Sequence, residues 1–209
     1  MSEVRILSIT EFDKKRRRIL LEGDLALVLY PCDIRKFQIE EGKLLDEKAV
    51  AGLMEILCSR ARERALHLLE FSDKTESELR ARLKREGYPE QAIEGAVSMT
   101  LRFHYVDDEA YGSRYAQAHS HSKSKRQIMN TLLQKGISRE LAEQIVEEQD
   151  IDESVQIQAL LEKRGVWGRA LDRKEYEKTV GMLARRGYSF DAIHGVLSRM
   201  TGDIWADCL

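Results

Sequence analysis

The sequence predicts a mainly α-helical protein: three tandem three-helix repeats in an elongated, curved array, with a small β-rich N-terminal segment. Three observations predict it. Of 209 residues, 43% are hydrophobic and 33% charged, with two prolines and 7% aromatics, a balance that suits helices better than proline-punctuated β-sandwiches. Three segments, 78–97, 127–146 and 178–197, line up on one pattern centred on Gly87, Gly136 and Gly187. Residues 1–57 lack that pattern and hold short runs of β-branched and apolar residues instead.

In the N-terminal segment, 1–57, the stretches 4–11, 18–21 and 25–30 read as strands. The intervening Glu22, Gly23 and Asp24 supply turn chemistry for a β-meander. A short helix is expected at 33–37, and a longer one over 44–64, begun near Asp46, leading into the first repeat.

The repeats are expected at 58–106, 107–150 and 151–209. In each, Leu83, Leu132 or Leu183 stands four residues before the shared glycine. Tyr88, Ile137 or Tyr188 follows it directly, and Val97, Val146 or Leu197 stands ten residues after it. Helix, glycine stop, helix is the physical content. A glycine just past a helix end accepts the left-handed conformation, and the apolar residue beyond packs back on that helix. Thr75 with Glu78, Ser124 with Gln127, and Asp172 with Glu175 read as N-caps with answering residues that open the middle helix of each repeat. Ser138 and Ser189 suit the N-caps of third helices, and Pro89 suits the first turn of the first of these. The first helices are expected at 60–71, 107–119 and 154–163. Their inward residues would be Ala65, Leu68 and Leu69, then Tyr111, Tyr115 and Ala118, then Ile157, Leu160 and Leu161. Units that contact mainly their neighbours build an elongated array.

Net charge is −2, unlike a dedicated duplex-DNA binder. The longest apolar run, 25–30, is far short of a membrane span, and the N-terminus carries no secretory signal. Cys32, Cys58 and Cys208 are widely spaced, which fits free thiols in the cytoplasm. There is no phosphate-binding glycine loop, nucleophile elbow or metal-ligand spacing, so neither an enzyme nor a cofactor is expected. His119 and His121 read as loop histidines, and Asp107, Asp108 and Glu109 as acids favoured at a helix start.

What remains is basic clustering. Lys123, Lys125 and Arg126 open the second repeat's middle helix, either as a solvated loop or as a phosphate or carboxylate site. Arg82, Lys84 and Arg85 recur loosely as Lys135 and as Arg185 and Arg186. They offset the negative end of a helix or face a partner. The run Lys14–Arg18 either grips an anion or, as favoured here, guards a strand edge against aggregation.

These residues carry a resemblance to the RecX family, regulators of the bacterial recombinase RecA. The passages are 64–69 followed by Ser77, Glu78, Leu79, Arg80, Leu83, Gly87 and Tyr88; 106–111 followed by Lys125, Arg126, Gln127, Ile128, Gly136 and Ile137; and 183–193 with its string from Arg185 to Phe190. Together they span about 58–200 and are specific in combination. The resemblance implies a monomeric, non-enzymatic protein lying in the groove of the RecA filament on single-stranded DNA. There it would suppress strand exchange, ATP turnover and LexA self-cleavage, with at most weak direct DNA contact. The alternative is a direct single-stranded nucleic-acid-binding module that competes with RecA for DNA.

Overall fold

β1 (Val4–Glu11), β2 (Arg17–Leu21) and β3 (Ala26–Leu29) form an antiparallel meander in the computed structural model, which describes residues 3–201. Gly23 and Asp24 turn between β2 and β3 with φ of 84° and 61°. A two-residue strand, β4 (Leu44–Leu45), joins the far side of β1, so the sheet order is β3-β2-β1-β4. This corrects the reading of the basic run. β2 is paired on both sides and has no edge to guard. Arginines of the run make contacts within the chain: Arg16, just before β2, bonds the Asp13 carboxylate and donates to the Glu86 carbonyl at 2.7 Å, and the Arg16 and Arg18 guanidinium groups lie over the Phe12 ring.

A short helix, α1 (Pro31–Lys36), follows β3. The helices expected at 44–64 and 60–71 are one continuous element, α2 (Glu47–Phe71), capped by Asp46, whose side chain accepts from the Ala49 N–H at 2.7 Å. Arg60 of α2 makes two bonds, of 2.6 and 2.9 Å, to the buried Asp33 of α1. Burial alone would raise that carboxyl. The Arg60 bonds and charge, with the Tyr30 N–H, outweigh it and hold Asp33 below the usual carboxylate range.

The end of α2, with α3 (Glu76–Arg85) and α4 (Glu90–Arg102), makes the first three-helix unit. The second is α5 (Asp108–His119), α6 (Lys125–Gln134) and α7 (Arg139–Glu148), and the third α8 (Glu153–Lys163), α9 (Arg173–Arg185) and α10 (Phe190–Thr201). All three middle helices open with the expected reciprocal caps. The glycines that close them have φ of 88°, 82° and 84°, and Leu83, Leu132 and Leu183 are fully buried. Two local expectations shift. Pro89 occupies the N-cap position of α4, not its first turn. On α5 the fully buried face is Gly112 and Ala116, while Tyr111 and Tyr115 are half-buried and Ala118 is exposed. The close approach of Ile145 to Gly112, 2.5 Å from where a Cβ would stand, selects the small residue for the inside.

The chain divides after Asp107 into two compact units. In the first, the sheet and first repeat share one core, including Ile6, Ile19, Leu27, Leu53, Leu57, Leu83, Ile93 and Val97. In the second, the two repeats keep separate cores, around Ile128, Leu132 and Ile145 and around Ile157, Leu161 and Ile193. Polar contacts join them: the buried Glu153 carboxylate accepts from the Lys125 N–H at 3.1 Å and from the Ser189 N–H and hydroxyl at 3.0 and 2.8 Å. Cys32 and Cys58 are free thiols, and Cys208 lies outside the described residues. No helix among the described residues is long and apolar enough to cross a membrane.

Candidate partner-binding grooves

The connection from first to second helix, and the second helix itself, leave a shallow hollow in the first and third repeats. In the first, Leu68, Lys74, Glu78, Ala81, Arg82 and Arg85 line a groove of about 520 Å³. Arg82 is tied to Glu86 at 2.8 Å, and so is Arg64. The Arg64 hydrogen bond lowers the Glu86 carboxyl most; burial opposes it and Arg82 adds to it. Arg85 is exposed, and Lys84 projects from α3 outside this lining.

In the second repeat the corresponding face is basic and aromatic. The Lys123 ammonium lies 4.8 Å from the Tyr115 ring centre and bonds its hydroxyl, while Lys135 lies 5.2 Å from the Tyr111 ring. Burial would raise the Tyr115 phenol. The hydrogen bonds from Lys123 and Thr131 and the charges of Lys123 and Lys135 overcome it, so the group sits below its ordinary value of 10.0. His119, expected in a loop, is the last residue of α5 and stacks on Tyr115 with ring centres 4.3 Å apart. Among the described residues no three His, Cys, Asp or Glu side chains converge as metal ligands.

In the third repeat, Arg164, Arg169, Lys178 and Arg185 surround a groove of about 460 Å³ floored by Val166, Leu171 and Met182. Arg186, one residue on from Arg185, points elsewhere because successive helical residues diverge by about 100°. Its carbonyl accepts from the Ser124 hydroxyl at 2.9 Å. Gly187 is pressed against Ser124 and Arg126, as Gly87 is against Val28 and Phe12.

The basic residues picked from the sequence therefore separate. Arg82 and Arg85 share one groove, Lys123 and Lys135 face one pair of tyrosines, and Arg185 belongs to the third groove. Lys125 and Arg126 line a different cleft, of about 790 Å³, beside Asp150, Asp152 and Glu153, where the charge is mixed. Lys74, Arg164, Arg169 and Lys178 escaped the sequence reading. For Lys74 a signal was present, since it directly precedes the N-cap Thr75 as Lys123 precedes Ser124.

Tandem three-helix units, each with a reciprocally capped middle helix closed by a left-handed glycine, define a helical repeat protein. Comparison with known proteins gives the family. Family models described as the first, second and third three-helix domains of RecX match residues 61–98, 107–145 and 152–197. The chain is 34% identical over 139 residues to a regulatory protein RecX from Vibrio parahaemolyticus, covering 66% of this chain and 90% of that one. A regulatory protein RecX from Clostridium botulinum is 25% identical over 207 residues, 94% of this chain and 95% of its own. A crystal structure of regulatory protein RecX aligns with a TM-score of 0.64 at 23% identity, over 93% of this chain and 99% of that one. The RecX of Lactobacillus salivarius aligns at 0.63 and 21% identity, over 70% and 97%. The chain belongs to the RecX family of regulatory proteins.

Proposed function

We propose that this protein regulates RecA by binding in the groove of the RecA filament on single-stranded DNA. Bound there, it inhibits strand exchange, ATP hydrolysis and LexA self-cleavage, and so tempers recombination and the SOS response. It acts in the cytoplasm, as a monomer and by occupancy, without chemistry of its own. The observation that supports the reading, beside family membership, is that every repeat carries exposed or half-exposed cations along its second helix or at that helix's ends: Arg82 and Arg85, then Lys123 and Lys135 over a pair of tyrosines, then Lys178 and Arg185. Modules linked in one chain bind a repeating polymer with avidity, because each docked unit raises the effective concentration of the next. A free RecA monomer would engage only part of that surface.

The test is RecA-catalysed ATP hydrolysis on single-stranded DNA, titrated with the wild-type chain and with a variant carrying Arg85→Ala, Lys123→Ala and Lys178→Ala, one cation from each repeat. The wild type inhibits, and the variant, melting at nearly the same temperature, inhibits at least several-fold less well. Equal inhibition by both removes those three residues from the interface, and inhibition by neither refutes the filament reading.

One feature favours a second reading, direct binding of single-stranded DNA in competition with RecA. Phe103 and Tyr105, both more than half exposed, stand 6.3 Å apart at the end of α4, with Arg102 against the Phe103 ring. Aromatics beside a cation suit base stacking. Tight binding to labelled single strands without RecA, falling steeply with salt, would establish that competitor.

A further inference from the structure

We infer that the groove of the third repeat receives an acidic peptide segment carrying one apolar anchor side chain. The inference rests on the filament reading for its setting and specifies the chemistry of one contact. It starts from a sequence difference with a geometric result. The residue just before the middle-helix N-cap is Lys74 in the first repeat and Lys123 in the second, but Leu171 in the third. Leu171 turns inward, and with Val166 and the adaptable Met182 it gives this groove an apolar floor, where the first repeat offers only Leu68 and Ala81.

The rim is charged in one sense. Arg164, Arg169, Lys178 and Arg185 face a single carboxylate, Glu175, which is 3.6 Å from Arg169 and also caps α9. Among the described residues, Arg164, Lys178 and Arg185 have no carboxylate within ion-pairing distance, and all three are exposed. Lys178 and Arg185 are two turns apart on α9, roughly 10 Å along the axis at about 1.5 Å per residue. An extended peptide turns alternate side chains to one face, so acids four residues apart, about 13 Å at roughly 3.3 Å per residue, meet the two long cationic side chains from the same face as the residue midway between them. That midway side chain would then reach the floor. A hollow of about 460 Å³ holds such a side chain. A nucleic acid strand fits less well. The lining contains no aromatic ring for a base to stack on, and phosphates would leave the apolar floor unfilled.

The experiment is fluorescence anisotropy with the full chain and three labelled probes: a short aspartate- and glutamate-rich peptide with one central phenylalanine, the same peptide with serine in its place, and an oligothymidylate. The phenylalanine peptide is expected to bind best, with the serine form weaker by about tenfold, the scale of one buried apolar side chain. Reversing Lys178→Glu and Arg185→Glu together should weaken the phenylalanine peptide by about tenfold or more. The charge-neutralising pair Arg164→Gln and Lys178→Gln should weaken it in the same direction while preserving the melting temperature. Equal affinity for the two peptides, tighter binding of the oligothymidylate, or indifference to both variant pairs overturns the proposal. Inhibition of RecA ATP hydrolysis is read on the same preparations. A chain that inhibits but ignores the peptide refutes the groove alone, and one that binds the peptide but never inhibits refutes the filament reading alone.

Discussion

Gly87 carries two demands at once. Its φ of 88° lies where a side chain costs about 1–2 kcal/mol, and an added Cβ would come within 2.4 Å of the Val28 side chain. Gly23 has nearly the same φ, 84°, with nothing within 4 Å. Gly23→Ala should therefore cost about 1–2 kcal/mol and Gly87→Ala about 2–4 kcal/mol, the difference being the forced shift of sheet against repeat. Chemical denaturation of both variants checks the pair, and equal losses would mean that the contact yields freely. Glu86 makes a pH-dependent contribution. Its carboxyl is lowered from 4.5 chiefly by the Arg64 hydrogen bonds, so its stabilisation is complete above about 4.5 and is lost as pH falls through the lower folded value. Glu86→Gln should cost about 1–2 kcal/mol at pH 7 and progressively less below pH 4.5. A deficit that stays constant between neutral and acid pH would contradict the assignment.

At the scale of the element, caps do two kinds of work. Ser138 accepts one bond, from the Leu141 N–H, on an exposed helix start, and Ser138→Ala should cost about 1 kcal/mol. Ser124 is fully buried, caps α6 and donates to the Arg186 carbonyl of the next repeat, so Ser124→Ala should cost about 2–3 kcal/mol. Thermal melts of the two variants test the ranking. The caps were legible because capping is local: Ser124 and Gln127 sit three residues apart, and their chemistry needs nothing else. The second role of Ser124 was not legible, since its partner is 62 residues away. Glu153 escaped for the same reason, its hydrogen bonds reaching back to Lys125 and forward to Ser189. β4 has only two residues, too few to show alternation, and α2 runs on because no glycine or proline interrupts it after Gly52. On α5, apolar spacing pointed to the tyrosines, but close packing of Ile145 placed glycine innermost.

At the scale of the molecule, the repeat pattern was legible because one solution to a packing problem recurs three times, and each copy shows the same leucine, glycine and capping positions. The partner surface was less so. Basic residues near helix ends satisfy the dipole whether or not anything binds. Only three-dimensional placement separates Arg185, in a groove with Lys178, from its neighbour Arg186, whose carbonyl serves the joint to the second repeat. The central claim is that the basic faces of the three repeats meet a RecA filament. An electron cryo-microscopy reconstruction of this protein on RecA and single-stranded DNA, at helix-resolving detail, tests it most directly. The account predicts density in the filament groove, with the faces bearing Lys74 and Arg85, Lys123 and Lys135, and Lys178 and Arg185 turned toward RecA. Filaments without such density, or with those faces turned to solvent, would contradict it.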